Sequence, residues 1–165
     1  MENHSEKNYK QLPVYKKAME IVDIVDGIVT IVFKSDKKET KINDFSFKII
    51  EETAKQMFQN AIILPAKIAA AEGGDTYDIR MQNAAIIRKA GLELITEAHA
   101  FELFNYKEVE YLELLIDEVD NFRILFAEWV KTFNPNNHII DHWGLFNPPS
   151  IDYNDHDTDD DIPFN

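Results

Sequence analysis

Cysteine is missing from all 165 residues, which excludes disulfides, thiolate metal sites and a cysteine nucleophile and is compatible with a reducing compartment. No stretch approaches the run of about 18 apolar residues that a membrane-spanning helix needs. The opening MENHSEKNYK is polar and carries no apolar segment of a secretion signal, so no membrane association and a cytoplasmic location are expected. There is no Gly-rich phosphate loop, and no Ser-His-Asp constellation is legible. Positive charge is absent from residues 134–165: they hold seven Asp and no Lys or Arg, so they carry −7 of the formal net charge of −13 and leave −6 to residues 1–133. An acidic block of this kind is expected to be a solvated tail able to screen a basic surface on its own body.

What is present is a 45% hydrophobic chain of single-domain length, with apolar residues recurring at helical spacing. Leu112, Leu115, Val119, Phe122, Phe126, Trp129 and Phe133 follow one another at steps of 3 and 4, as do Ala84, Ile87, Gly91, Leu94, Ala98 and Phe101. Each series is one stripe of an amphipathic helix. A third helix is predicted from Asn43 or Asp44 to a stop at Gly73-Gly74. The first is predicted from Pro13 through a stripe of Ile21, Val25, Ile28 and Val32. "GIVTIVF" within it is β-branched enough to read as a strand, and its three helical neighbours decide for helix. The expected fold is all-α, an up-down-up-down four-helix bundle with a disordered acidic C-terminal tail. Its divisions are a flexible N-terminus at 1–11, the bundle at 12–133 and a largely extended tail at 134–165. Phe45, Phe47, Ile86, Leu92 and Leu103 fall off or beside the stripes, and so point to a second buried face in a homo-oligomer.

Two stretches, "LPVYKKAME" and "NAIILPAKIAAAEGGDTYDIRMQNAAIIRKAGLELITEA", resemble the bacterial four-helix-bundle family of ribosomal-RNA intervening-sequence proteins and diversity-generating-retroelement accessory proteins. The resemblance covers most of residues 12–133. It is most specific at Leu64-Pro65 and at Ile68-Ala69-Ala70-Ala71-Glu72-Gly73, where the family's Ile-Ala-Glu-Gly stretch is lengthened by two alanines. It implies a non-enzymatic bundle assembled as a ring, in the accessory proteins a pentamer with a basic pore, that binds nucleic acid together with a reverse transcriptase; the residues themselves suggest no cofactor. The body of this chain is acidic, so any surface for RNA or DNA must be a local patch.

Two patches qualify: Lys34, Lys37, Lys38 and Lys41 in the first loop, and Arg80, Arg88 and Lys89 on the third helix. Phosphate contacts call for such side chains with little sequence preference. Neither metal constellation is convincing. Glu97 and His99 are two apart, on different sides of a helix. His138, Asp141 and His142 would converge only if "NHIIDHW" were helical, which its flanking prolines and asparagines oppose; no metal site is expected. Trp143, Leu145 and Phe146 are expected to fold back onto the bundle. Finally Asp159, Asp160, Asp161, Ile162, Pro163 and Phe164 resemble the acidic tip of bacterial single-stranded-DNA-binding proteins. That likeness implies docking of a genome-maintenance protein, through the Phe ring in an apolar pocket and the carboxylates on a basic ridge. Two functions follow: a non-catalytic oligomeric accessory protein of a nucleic-acid process, retroelement or reverse-transcriptase associated, or an adaptor that displays acidic tails to a basic partner without touching nucleic acid.

Overall fold

The helical periodicity is realised as four helices in a computed structural model that describes residues 8–36, 41–104, 106 and 110–156. Helix α1 spans Pro13–Lys34, α2 Asp44–Gly73, α3 Tyr77–Leu103 and α4 Glu110–Val130, with a 3-10 turn at Tyr9–Gln11 ahead of α1. No strand occurs among the described residues. Pro13 occupies the first turn of α1, where its missing N–H would have had no partner anyway and its fixed φ suits a helix. "GIVTIVF" is helical because Ile28 and Val32 continue the series Val14, Ala18, Ile21 and Val25, all of them buried; a strand would have split that series between two faces. Ser35 closes α1 by donating its hydroxyl to the Ile31 carbonyl at 2.7 Å.

At the start of α2 the Asn43 side chain accepts the Ser46 N–H at 2.9 Å, the capping bond whose loss typically costs about 1 kcal/mol. Pro65 withdraws one backbone donor from the helix interior, yet α2 continues through it to Gly73. It ends because Gly74 turns extended, with φ −91° and ψ 130°. A Cβ at Gly74 would stand 2.8 Å from Ile79 Cγ2, so glycine there permits close approach of the α3 entry.

The helices pack in cyclic order: α1 on α2, α2 on α3, α3 on α4 and α4 on α1, and among the described residues no two backbones approach within 8 Å across either diagonal. This is the four-helix bundle that the stripes predict. The α2–α3 pair is the most extensive, consistent with buried Ala84, Ala90 and Ala98 along α3. Phe101 and Tyr106 meet edge to face at 5.5 Å, and full burial of an aromatic such as Phe101 makes truncation to Ala cost about 3–5 kcal/mol. Phe47 departs from expectation. It is 2% exposed, whereas Phe45, Leu92 and Leu103 are 75%, 50% and 81% exposed; its aromatic ring belongs to the interior of this chain, not to a second face.

Helix α4 ends at Val130, three residues before the end of its stripe. The Phe133 N–H turns back to the Val130 carbonyl at 3.1 Å, and that turn buries Phe133 in spite of the helix ending. Beyond it the chain laces onto the α3 N-terminus. Thr76, the N-cap, makes no side-chain capping bond. Instead the Tyr77 N–H donates to the Asn137 carbonyl at 2.7 Å, Asn137 Nδ2 donates to the Asp75 carbonyl at 2.6 Å, and the Ile139 N–H donates to Asp78 Oδ1 at 2.9 Å. An orphan donor of α3 is thus satisfied from a distant segment. Residues 157–165, with the candidate partner-binding stretch Asp159 to Phe164, lie outside the described residues.

Candidate nucleic-acid and partner interface

The basic residues are distributed by what the fold asks of each. Arg80, in the first turns of α3, points into the bundle end: its Nη2 donates to Glu72 Oε1, at the close of α2. The same oxygen accepts Trp129 Nε1 from α4 at 2.7 Å. The Arg80 guanidinium lies 4.3 Å from the Phe133 ring centroid, a cation–π contact. With its side chain 20% exposed, Arg80 ties three helices together and is withdrawn from the phosphate-binding patch to which spacing had assigned it. A cavity of about 400 Å³ lined by Pro13, Glu72, Arg80 and Trp129 opens beside this cluster.

Of the others, Lys34 and Lys41 are exposed, and Lys41 holds a left-handed φ of 53°. Lys37 and Lys38 lie outside the described residues. Arg88 and Lys89 are exposed on α3, Lys89 with its Nζ 3.5 Å from Glu93 Oε1. Ser35 and Tyr106, whose hydroxyls are 3.3 Å apart, place the end of α1 at the Leu103 end of α3. Arg88 lies 15 residues before Leu103, about 22 Å along the axis at 1.5 Å per residue. Lys34, at the end of α1, and Arg88 therefore do not share one patch.

Between α3 and α4 runs an apolar groove of about 340 Å³, lined by Ile87, Gly91, Ile95, Val119, Phe122 and Phe126, with Leu92, Arg88, Asp120 and Arg123 also along it. Phe126, the stripe residue that lines this groove, is half-buried. A Cβ built on Gly91 meets nothing within 4 Å, so the groove is open at that point. Arg123 Nε donates to Asp120 Oδ1 at 2.8 Å.

A polar pair, one member buried and the other half-buried, joins α2 to α3. Asn60 is 2% exposed and donates through Nδ2 to Glu97 Oε1 at 2.8 Å, while Glu97 Oε2 is buried without a partner. Burial pushes the Glu97 carboxyl up to about 7; the Asn60 hydrogen bond opposes the rise and the neighbouring Glu93 charge adds to it. Spacing had treated Glu97 only as a poor metal partner for His99, which points outward with 55% of its side chain exposed. The available signal was position. Glu97 sits three residues after Leu94, and Asn60 three after Met57 and four before Leu64, so both fall at core steps.

The 138–147 segment is a built loop centred on Asp141. Its Oδ1 accepts the Trp143 N–H at 3.0 Å, and its Oδ2 accepts those of Leu145 and Phe146, each at 2.9 Å. The Asn147 side chain brackets the Asp141 backbone with bonds of 2.7 and 2.8 Å. Backbone donors, Phe146 foremost, hold the Asp141 carboxyl below the usual range. His138 Nδ1 pairs with the Pro135 carbonyl at 3.0 Å and His142 Nδ1 with the Tyr153 carbonyl at 2.9 Å, so the two rings and Asp141 are each engaged separately. Among the described residues no group of three His, Asp or Glu is placed to hold a metal ion. Trp143 and Leu145 do not fold back onto the bundle: they are 95% and 73% exposed. Ile140, which is buried, and Phe146 face the α3 start across an open cleft of about 590 Å³ that also includes Asp78 and Gln82.

These features define an all-helical four-helix bundle with a laced C-terminal segment, and among the described residues no helix is long and apolar enough to cross a membrane. Comparison with known protein families, with curated proteins and with solved structures gives no match.

Proposed function

We propose that the protein is a non-catalytic, homo-oligomeric cytoplasmic adaptor that offers its acidic C-terminal segment to a basic partner. The observation that supports this reading most is the handling of charge. Arg80 is committed to Glu72 inside the bundle and Lys17 to Glu118 at 2.6 Å between α1 and α4, whereas residues 134–165 hold seven Asp and no Lys or Arg. The bonds of Asn137 and Ile139 to the α3 start fix the region from which the acidic stretch departs. Asp159, Asp160 and Asp161 would lie against a basic ridge of the partner, and Ile162, Pro163 and Phe164 would fill its apolar pocket. In-cell cross-linking tests the reading: Phe164→Ala should lose the partner captured by the parent chain, and equal capture by both would refute it.

A second reading keeps the resemblance to retroelement accessory proteins and places RNA or DNA, with a reverse transcriptase, on Lys34, Lys41, Arg88 and Lys89, the candidate cations that are exposed among the described residues. Changing Arg88 and Lys89 to Ala should then weaken a labelled RNA or DNA shift uniformly across sequences and flatten its salt dependence. Unchanged binding would exclude these residues as the contact.

A further inference from the structure

The α3–α4 groove joins an apolar lining to an unmatched positive charge. Of the chain's three arginines, Arg80 is paired with Glu72 and Arg123 with Asp120. Arg88 has no ion-pair partner among the described residues and lies along the groove. Lys89 and Glu93 offset each other nearby, so Arg88 supplies the net charge. The groove is open at Gly91, and Leu92 beside it is 50% exposed. A peptide carrying carboxylates next to large apolar side chains matches this combination, and residues 157–165, DTDDDIPFN, are such a segment of the same chain.

The segment is also within reach. The Ile139 N–H meets Asp78 of α3 and the Tyr153 carbonyl meets His142, three residues further on, so the last described residues lie near the α3 start. Arg88 is six residues beyond Gln82, about 9 Å of helix rise, and nine residues of extended chain span up to about 30 Å. We propose that the α3–α4 groove is the docking site of the chain's own acidic segment, with Ile162 and Phe164 on the apolar lining and an Asp carboxylate on Arg88. Docking of this kind withholds the segment from other partners until a competing basic surface releases it. It needs no external partner, so it stands or falls separately from the adaptor reading.

The absence of cysteine makes the test direct, because Asn165→Cys introduces a single site for a nitroxide label in the full chain. In cis docking the label broadens the amide signals of Arg88, Gly91, Leu92 and Ile95 in an isotope-enriched sample, and the broadening fades as salt is raised. Gly91→Leu, which fills the open part of the groove, and Arg88→Glu, a surface change, should each remove most of the broadening while the helical circular dichroism is kept. Isotope-enriched unlabelled chain mixed with labelled, unenriched chain should show none. Broadening in that mixture would give the groove to a second copy and overturn docking in cis. Broadening elsewhere, or undiminished in both variants, would overturn the groove as the site.

Discussion

Glu97→Gln should make the protein more stable above neutral pH and leave it nearly unchanged in acid. In the folded chain the Glu97 carboxyl titrates at about 7 instead of the ordinary 4.5, because burial penalises its charged form. The unfolded chain releases this proton first. Protonation therefore favours the fold: its contribution is full below pH 4.5, falls as pH rises, and is gone above about 7. At about 1.36 kcal/mol for each pH unit of separation, the limit is about 3 kcal/mol. Glu97 is only partly enclosed, so solvent screening reduces the expected effect to about 1–2 kcal/mol. Gln keeps the shape and neutrality of the protonated acid, and its Oε1 retains the bond from Asn60 that Glu97 accepts at 2.8 Å. A chain of this length shifts its midpoint by about 2–4 °C per kcal/mol, so the variant should melt about 2–8 °C higher than the parent at about pH 8.5 and within a degree or two of it at about pH 5. Thermal unfolding followed by circular dichroism across that range reads the difference, and repulsion among the other acidic groups acts on both chains alike. Parallel curves at every pH would refute the assignment of a buried, proton-retaining carboxyl.

Other substitutions separate structural cations from available ones. Arg80→Ala removes a partner from Glu72 and the guanidinium over Phe133, so urea unfolding should show a loss of about 1–3 kcal/mol, against less than about 0.5 kcal/mol for exposed Arg88→Ala. Asp141→Ala deletes the acceptor of three backbone N–H groups; hydrogen exchange should accelerate at Trp143, Leu145 and Phe146 while the bundle midpoint moves little. If Phe45 and Leu103, both exposed, are covered by neighbouring copies, light scattering should return a multiple of the monomer mass, and Phe45→Asp with Leu103→Asp should lower it. A monomer at tens of micromolar would remove the homo-oligomer from the proposal.

The apolar stripes were legible in the chain because helical periodicity is local: Val25, Ile28 and Val32, or Leu94, Ala98 and Phe101, declare a buried face at steps of 3 and 4 without knowledge of what covers it. Asn43 as a cap and Pro13 as a helix start are local in the same sense, since their partners lie within a turn. The fate of each polar side chain was not legible, because it depends on groups far along the chain. Arg80 reads as a surface cation until Glu72 and Trp129, 57 residues apart, are brought to it from two other helices. Glu97 reads only as a poor metal partner for His99 until Asn60, 37 residues earlier, meets it across the α2–α3 contact. Trp143 reads as an anchor for the bundle, but it stands 95% exposed in a loop whose backbone N–H groups close on Asp141. Phe47 reads as surplus to its helix and proves to be interior. Periodicity determines which face of a helix is buried; the tertiary arrangement decides which charges neutralise one another and which, like Arg88, remain available.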